Sequence, residues 1–275
     1  MAGILWLASY PKSGNTWLRA FLGNIFNNDK VPIDINRLGV YTFGEMSPDL
    51  YERVSGRRIA TMTDRELHLL RPEVHRMLSG LRPDTVIVKT HCAIAVQDEV
   101  PTVTPEVTAG AIYIVRNPLD LVLSYADHYG LTTGQAIEAI NSWHNRVETS
   151  PGAVGQFLCD WSNHVQSWTE APGLKLHLVR YEDLLDDPQK HFTAVLDFMG
   201  LEVTKQRLNR SIKFSALPEL QRQERQRGFR EKSRTAEKFF RQGQAGAWRE
   251  VLSQAEVDAV VAAHEPMMRR YGYLP

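Results

Sequence analysis

An apolar run that breaks at a proline and a glycine-bearing turn, then resumes with a different period, constrains this chain most. Residues 4–10 (ILWLASY) are almost continuously apolar, as in a strand buried on both faces. Pro11 ends the run, and Lys12-Ser13-Gly14-Asn15 follows. From residue 16 to 26 the apolar side chains Trp17, Leu18, Phe21, Leu22 and Ile25 recur at helical spacing. Strand, turn, helix is the opening of an α/β unit. Further strand-like runs lie at 84–91 (DTVIVKTH), 110–115 (GAIYIV) and 174–181 (LKLHLVRY). Helical patterns separate or follow them at 119–129, 134–149, 153–169, from Asp187-Pro188 to about Gly200, in part of 208–220, and at 253–271. Thr63-Asp64-Arg65-Glu66 adds a helix start with a capping box. This alternation predicts one α/β domain over residues 1–275, with a central parallel sheet and helices on both faces. Ligands of such sheets bind at the carboxyl ends of the strands, so the loops after the first three strands are expected to line one crevice.

Charge narrows the partners. The 32 Lys and Arg balance 32 Asp and Glu, which argues against nucleic acid or an anionic membrane, because binding by counterion release needs a basic excess. Between residues 222 and 249 the balance turns locally basic, which fits a solvated face or a site for a polyanion. Residues 221–242 are charged and nearly free of aliphatic side chains, an exposed helix or a loop that orders on a ligand. Cys92 and Cys159 are too few for a disulfide framework or a metal cluster, and free thiols in a reducing compartment are expected. Residues 1–7 lack a basic leader. No window reaches the ~18–20 apolar residues of a membrane span. The chain reads as cytoplasmic, without metal and without membrane attachment.

Four segments carry polar chemistry. In Tyr10-Pro11-Lys12-Ser13-Gly14-Asn15-Thr16-Trp17, a glycine lets backbone approach an anion, a helix start offers N–H groups, and Lys12, Ser13 and Thr16 add donors. The segment lacks the GxxxxGK[ST] pattern, and a plain strand-to-helix connection gives the same residues. Lys89-Thr90-His91 ends the second strand, and imidazole suits general base work, although a strand-end histidine is commonly structural. Arg116 ends the third strand and could fork onto a phosphate or onto a surface carboxylate, with Ser124 two helical turns beyond. Phe239-Phe240-Arg241-Gln242-Gly243-Gln244-Ala245-Gly246-Ala247-Trp248-Arg249 is either an Arg-Gly phosphate loop anchored by Trp248 or a helix cap with a connecting loop.

Taken together, the segments resemble the sulfotransferases that use PAPS (3′-phosphoadenosine-5′-phosphosulfate), in their bacterial small-molecule style. YPKSGNTW at 10–17 is similar to the family's YPKSGTTW-like loop. KTH at 89–91, RNPLDLVLSY at 116–125, YEDL at 181–184 and FRQGQAGAW at 240–248 match its other motifs in order. The resemblance implies a P-loop-like strand–loop–helix that binds the 5′-phosphosulfate through Lys12, Ser13, Gly14, Asn15, Thr16 and Trp17. It implies Lys12 at the leaving oxygen and His91 as the base for the acceptor hydroxyl. It implies Arg116, Ser124, Arg241, Gln242 and Gly243 around the 3′-phosphate, Tyr181 at the adenine and Phe214 against the base. The product nucleotide would be adenosine 3′,5′-bisphosphate. Asn15 stands where the family often has Thr, KTHCA lacks the usual proline, and Gln242 replaces a frequent basic residue. The family's KxxxTVxxxE dimer motif is absent near residue 275, so its dimer mode is not expected. The oligomeric state stays open, a dimer being one option.

The acceptor is expected to be a small aromatic or alicyclic molecule, covered by residues 37–80 and 128–168 with their Tyr41, Phe43, Tyr51, Tyr129, Trp143, Trp161 and Trp168; a polysaccharide would call for a basic groove. Two rivals differ in chemistry. A phosphoryl-transfer enzyme predicts a GK[ST] loop and a Mg²⁺-binding carboxylate. A catalytically silent protein that binds adenosine 3′,5′-bisphosphate predicts loss of Lys12 or His91, and both are present.

Overall fold

The computed structural model describes residues 3–233 and 235–275. Met1 and Ala2, in the segment read for a leader, and Arg234, in the charged 221–242 stretch, lie outside the described residues.

The chain opens with β1 (Gly3–Ser9), all of it buried, and α1 (Asn15–Asn27). A 3-10 turn, Ile35–Val40, leads to the short strand β2 (Phe43–Gly44), then α2 (Pro48–Ser55) and α3 (Asp64–Ser79). After β3 (Thr85–Thr90) come the small ladder β4 (Val96–Gln97) and β5 (Val100–Pro101), and then β6 (Thr108–Val115). Next are α4 (Pro118–Tyr129), α5 (Thr133–Asn141), a second ladder of β7 (Arg146–Val147) and β8 (Gln156–Phe157), and α6 (Trp161–Thr169). β9 (Leu176–Arg180) precedes α7 (Tyr181–Asp186), α8 (Pro188–Phe198), α9 (Lys205–Ser215), α10 (Leu217–Arg227) and α11 (Gln254–Tyr271).

Five strands form a central parallel sheet in the order β2-β3-β1-β6-β9. β1 and β3 run in register from Gly3 opposite Thr85 to Ala8 opposite Thr90, so these two strands end together. The four expected strands, and the first turn and helix, stand within a residue or two.

The chain divides into two compact units. The first comprises Met1–Tyr10, Phe43–Tyr113 and Ala139–Leu178. In it α3 packs on β1, and Trp6, Tyr51, Val74, Leu78, Val88, Trp161 and Trp168 are buried. The second comprises Pro11–Thr42, Ile114–Glu138 and Val179–Pro275. In it α1 packs along α9, and Phe21 stacks on Phe192 with centroids 3.9 Å apart. Burying a side chain of this size contributes ~1.5–3 kcal/mol, and an aromatic pair roughly 0.5–1.5 more.

Three local expectations need correction. The helices expected at 134–149 and 153–169 are shorter, because α5 stops at Asn141 and α6 starts at Trp161. Between them, Pro151-Gly152 tops a hairpin closed by a bridge between Ser150 and Ala153 and by the β7–β8 ladder. Cys159 sits at φ 51, outside helical geometry, and the Asp160 carboxylate caps α6 by accepting from Asn163 N at 3.0 Å. The 208–220 stretch is two helices, since Ala216 is extended ahead of Leu217-Pro218. The charged 221–242 stretch is neither option whole. α10 covers its first part, and an irregular segment follows in which Phe229, Ala236 and Phe240 are buried.

Candidate active site

The turn after β1 is built around an unusual backbone. Gly14 has φ 104, and Lys12, with a Cβ, has φ 71. A left-handed conformation at a non-glycine residue costs roughly 1–3 kcal/mol and persists only where surroundings enforce it. Here Arg116, just past β6, donates from Nη1 to the Lys12 carbonyl at 3.0 Å. Gly14 caps α1 without a side-chain hydrogen bond, so the helix start keeps its affinity for an anion. A Cβ at Gly14 would stand 2.6 Å from Tyr181 Cδ2. Tyr181 also carries the Arg116 guanidinium 4.4 Å from its ring centroid and meets the Trp17 ring edge-on at 5.8 Å. Burial pushes the Tyr181 hydroxyl pKa up, although the Arg116 charge opposes the shift. Gly14, Trp17, Arg116 and Tyr181 thus hold one another, from three separate parts of the chain.

Several polar atoms in this cluster are buried without a protein partner: Ser13 Oγ, Trp17 Nε1 and Arg116 Nε. Ser13 is wholly buried, and an unsatisfied hydroxyl in that position costs about 1–3 kcal/mol. Neutral and cationic donors gathered at a helix start fit a polyanion. Asn15 and Thr16 are buried in the first turn of α1.

The loop after α10 is tied to the same unit by carboxylates. Glu224 accepts from the backbone N–H of Phe239 at 2.7 Å and of Phe240 at 3.0 Å. Gln221 Nε2 donates to the carbonyls of Phe240 at 3.1 Å and Arg241 at 2.6 Å. Asp120, in the first turn of α4, accepts from Gly246 N at 2.7 Å and Trp248 N at 3.2 Å. Arg241 reaches α4, donating to the Leu123 carbonyl at 3.1 Å and pairing with Asp127 at 3.5 Å. Its partner carbonyl belongs to the residue before Ser124, which is half-buried. Gly243 has φ 58, and a Cβ there would lie 2.5 Å from Leu217. Gln242 is exposed, bonded to Gln244 at 3.2 Å. Phe214 is half-buried on α9 and shares none of these contacts among the described residues.

His91 lies in the other unit, one residue past β3. Its Nδ1 donates to the Ser9 carbonyl at 2.7 Å, an arrangement that places the proton on Nδ1 and leaves Nε2 as the basic nitrogen. The His91 carbonyl accepts from His164 Nε2 at 3.0 Å, and His164 Nδ1 accepts from the Tyr113 hydroxyl at 2.8 Å. Burial lowers the His164 pKa to about 4 despite the bond to His91, so this support is neutral at ordinary pH.

Behind the strand end sits a buried ionic cluster. Glu45, fully buried, pairs with Arg71, and it accepts from Thr90 Oγ1 at 2.8 Å and Gln156 Nε2 at 2.7 Å. Thr90 Oγ1 in turn accepts from Cys92 N at 3.0 Å. Burial would raise the Glu45 pKa, but Arg71 and the hydrogen bonds outweigh it and hold the carboxyl well below its usual range. Burial drives the Cys92 thiol up to about 12, so Cys92 is an unreactive thiol here. Asp120, Glu224, Glu45 and Arg71 were not singled out as site or support residues from the sequence. Asp120 falls inside RNPLD, so motif membership was its one available signal, while Glu45 and Arg71 sit in ordinary polar contexts. Among the described residues, no group of three or more His, Cys, Asp or Glu could hold a metal.

This is an α/β fold with buried, unsatisfied donors at the turn after its first strand. The sulfotransferase domain model matches residues 4–272, and the chain belongs to that family. It is 24% identical to sulfotransferase 1 family member D1 of Mus musculus over 263 residues, which is 92% of this chain and 79% of that protein. It is 26% identical to sulfotransferase 1B1 of Canis lupus familiaris over 220 residues, which is 75% of this chain and 62% of that protein. The fold is similar to that of mouse sulfotransferase SULT7A1 complexed with PAP, with TM-score 0.62 and 18% identity over 99% of this chain and 86% of that one. It is also similar to retinol dehydratase in a complex with retinol and PAP, with TM-score 0.64 and 18% identity over 96% and 81%. Among the described residues, no helix is long and apolar enough to cross a membrane.

Proposed function

We propose that this sulfotransferase moves the sulfuryl group of PAPS to a hydroxyl of a small-molecule acceptor, in the cytoplasm and without a metal ion. The observation that carries the reading is the set of buried, unsatisfied donors, Ser13 Oγ, Trp17 Nε1 and Arg116 Nε, around a glycine turn that opens a helix. Bound PAPS supplies an activated sulfuryl group on a nucleotide leaving group.

The chain's own residues have distinct tasks. The 12–17 segment, with the hydroxyls of Ser13 and Thr16 and the Asn15 amide, holds the 5′ end of the nucleotide. Lys12 neutralises charge that develops on the leaving oxygen. Arg116 and Ser124, with Arg241, Gln242 and Gly243, hold the 3′-phosphate. Tyr181 and Phe214 flank the adenine. His91 takes the acceptor proton at Nε2, its Nδ1–H being committed to Ser9. As in phosphoryl transfer, in-line positioning and charge neutralisation do most of the work. The acceptor is a hydrophobic aromatic or alicyclic alcohol or phenol. The neutral overall charge supports this over a polyanionic polymer.

The test is a thermal-shift series with adenosine 3′,5′-bisphosphate and with ATP, each without and with Mg²⁺, followed by an acceptor screen with labelled PAPS. Stabilisation by the bisphosphate alone is expected. Equal stabilisation by both nucleotides, or by ATP only with Mg²⁺, would overturn the reading.

A further inference from the structure

Lys12 is fixed at both ends. Its carbonyl takes the Arg116 hydrogen bond, and its ammonium sits 3.8 Å from the centroid of the Phe239 ring. The same ammonium lies 3.5 Å from His128 Nδ1. An ammonium only donates, so Nδ1 is the acceptor in that contact. The partners are themselves held. Glu224 fixes the Phe239 N–H, and the Phe239 ring meets Phe229 edge-on at 4.7 Å and Phe240 at 5.0 Å. His128 sits near the end of α4, its carbonyl accepting from Thr235 Oγ1 at 2.9 Å and its ring edge-on to Tyr129 at 4.8 Å and to Phe239 at 6.2 Å.

We propose that Phe239 and His128 form a seat for the Lys12 ammonium and so act as positioning residues for sulfuryl transfer. The inference rests on the catalytic reading of Lys12 for its consequence, though not for the seat itself. A lysine side chain has several rotatable bonds, and its freedom must be lost before it can stabilise a leaving group at a fixed point. An aromatic face removes part of that freedom while keeping the charge, because the ring quadrupole attracts a cation and does not neutralise it. Phe239 stands two residues before Arg241, so the loop assigned to the 3′-phosphate also carries the lysine's seat. The lysine's seat and the groups assigned to the 3′-phosphate are therefore carried by one segment.

The seat is tested first without turnover. Reductive ¹³C-methylation keeps lysines cationic, and Lys12→Arg identifies the Lys12 signal. In the full chain that signal is expected upfield of the other lysines through the ring current of Phe239. Phe239→Leu should return it to the common position, and Phe239→Tyr should restore the displacement. An undisplaced signal, or one that stays displaced in Phe239→Leu, overturns the seat.

The second arm measures turnover of labelled PAPS with 4-nitrophenol, and adenosine 3′,5′-bisphosphate affinity by calorimetry. Phe239→Leu should lower kcat about 3- to 30-fold, the range of a cation–π contact, with little change in nucleotide affinity. Phe239→Tyr should recover most of that loss. In a Lys12→Ala background, Phe239→Leu should cost nothing further, because the group it positions is gone. Additive losses in the double variant refute the positioning role. Full activity in Lys12→Ala refutes the catalytic reading of Lys12 instead, and leaves the spectroscopic result to decide the seat. If 4-nitrophenol is not sulfated, the methyl signal decides alone.

Discussion

Asp120→Ala removes the carboxylate that anchors the loop carrying Arg241 and Gly243. The side chain is 3% exposed and accepts from two backbone N–H groups, Gly246 at 2.7 Å and Trp248 at 3.2 Å. Hydrogen bonds to a charged acceptor are worth about 1.5–3 kcal/mol each, and buried donors left alone cost about 1–3 kcal/mol. The two losses overlap, since the loop relaxes once released, so a destabilisation of about 2–5 kcal/mol is expected. For a chain of this size that is a fall in Tm of roughly 5–15 °C. The released loop must also be ordered again when nucleotide binds. Immobilising two or three side chains at about 0.5–1.5 kcal/mol each costs about 1–4.5 kcal/mol, which weakens adenosine 3′,5′-bisphosphate binding about fivefold or more. Asp120→Asn keeps one acceptor oxygen and should fall between. Differential scanning calorimetry and isothermal titration with the bisphosphate measure both effects. A lowered Tm with unchanged nucleotide affinity would show that the anchor serves stability alone, and refute the link between Asp120 and the site.

Lys12→Ala and His91→Ala should each lower turnover about 100-fold or more in an assay with labelled PAPS and the identified acceptor; near wild-type turnover there removes that residue from the mechanism. Gly14→Ala places a Cβ 2.6 Å from the Tyr181 ring at φ 104, and should abolish the thermal shift given by adenosine 3′,5′-bisphosphate while the chain still folds; a preserved shift contradicts the close approach. Glu45→Gln leaves the Arg71 charge buried without its counter-ion and should destabilise by about 3–5 kcal/mol in urea titration, where a loss under 1 kcal/mol would mean that Arg71 is not an isolated buried charge. His164 has a folded-state pKa of about 4 against an ordinary 6.5, so the unfolded chain binds the extra proton first as pH falls. Its contribution is fully present above pH 6.5 and is lost progressively down to about pH 4, about 3 kcal/mol in all. His75, also lowered by burial, acts in the same direction. Unfolding midpoints that stay flat between pH 6.5 and 4 would contradict the neutral buried imidazole.

Much of the site's inventory is local in character. A buried strand must end before Pro11, and a helix that starts after Gly14 must expose its first N–H groups, so the turn could be placed from its own residues. His91 and Arg116 were legible for the same reason, as polar residues closing apolar runs. The 134–169 region was not. Its apolar spacing suits helices, yet Cys159 adopts positive φ and the 146–157 chain pairs as a ladder. Pairing across a hairpin depends on partners up to eleven residues apart, and periodicity within a short window does not register it.

The sequence by itself determined the strand–turn–helix opening and the order of the motifs, because each follows from neighbouring residues and their spacing, and the resemblance of those motifs pointed to the family. The tertiary structure alone decided which polar groups would be buried, satisfied or left without a partner. Glu45 becomes an ionised core residue only because Arg71 meets it there, and Asp120 becomes an anchor only because the 246–248 backbone returns to it. Desolvation makes the difference: water would satisfy each of these groups in an open chain, and folding removes the water, so their energetics belong to whichever partner the fold supplies.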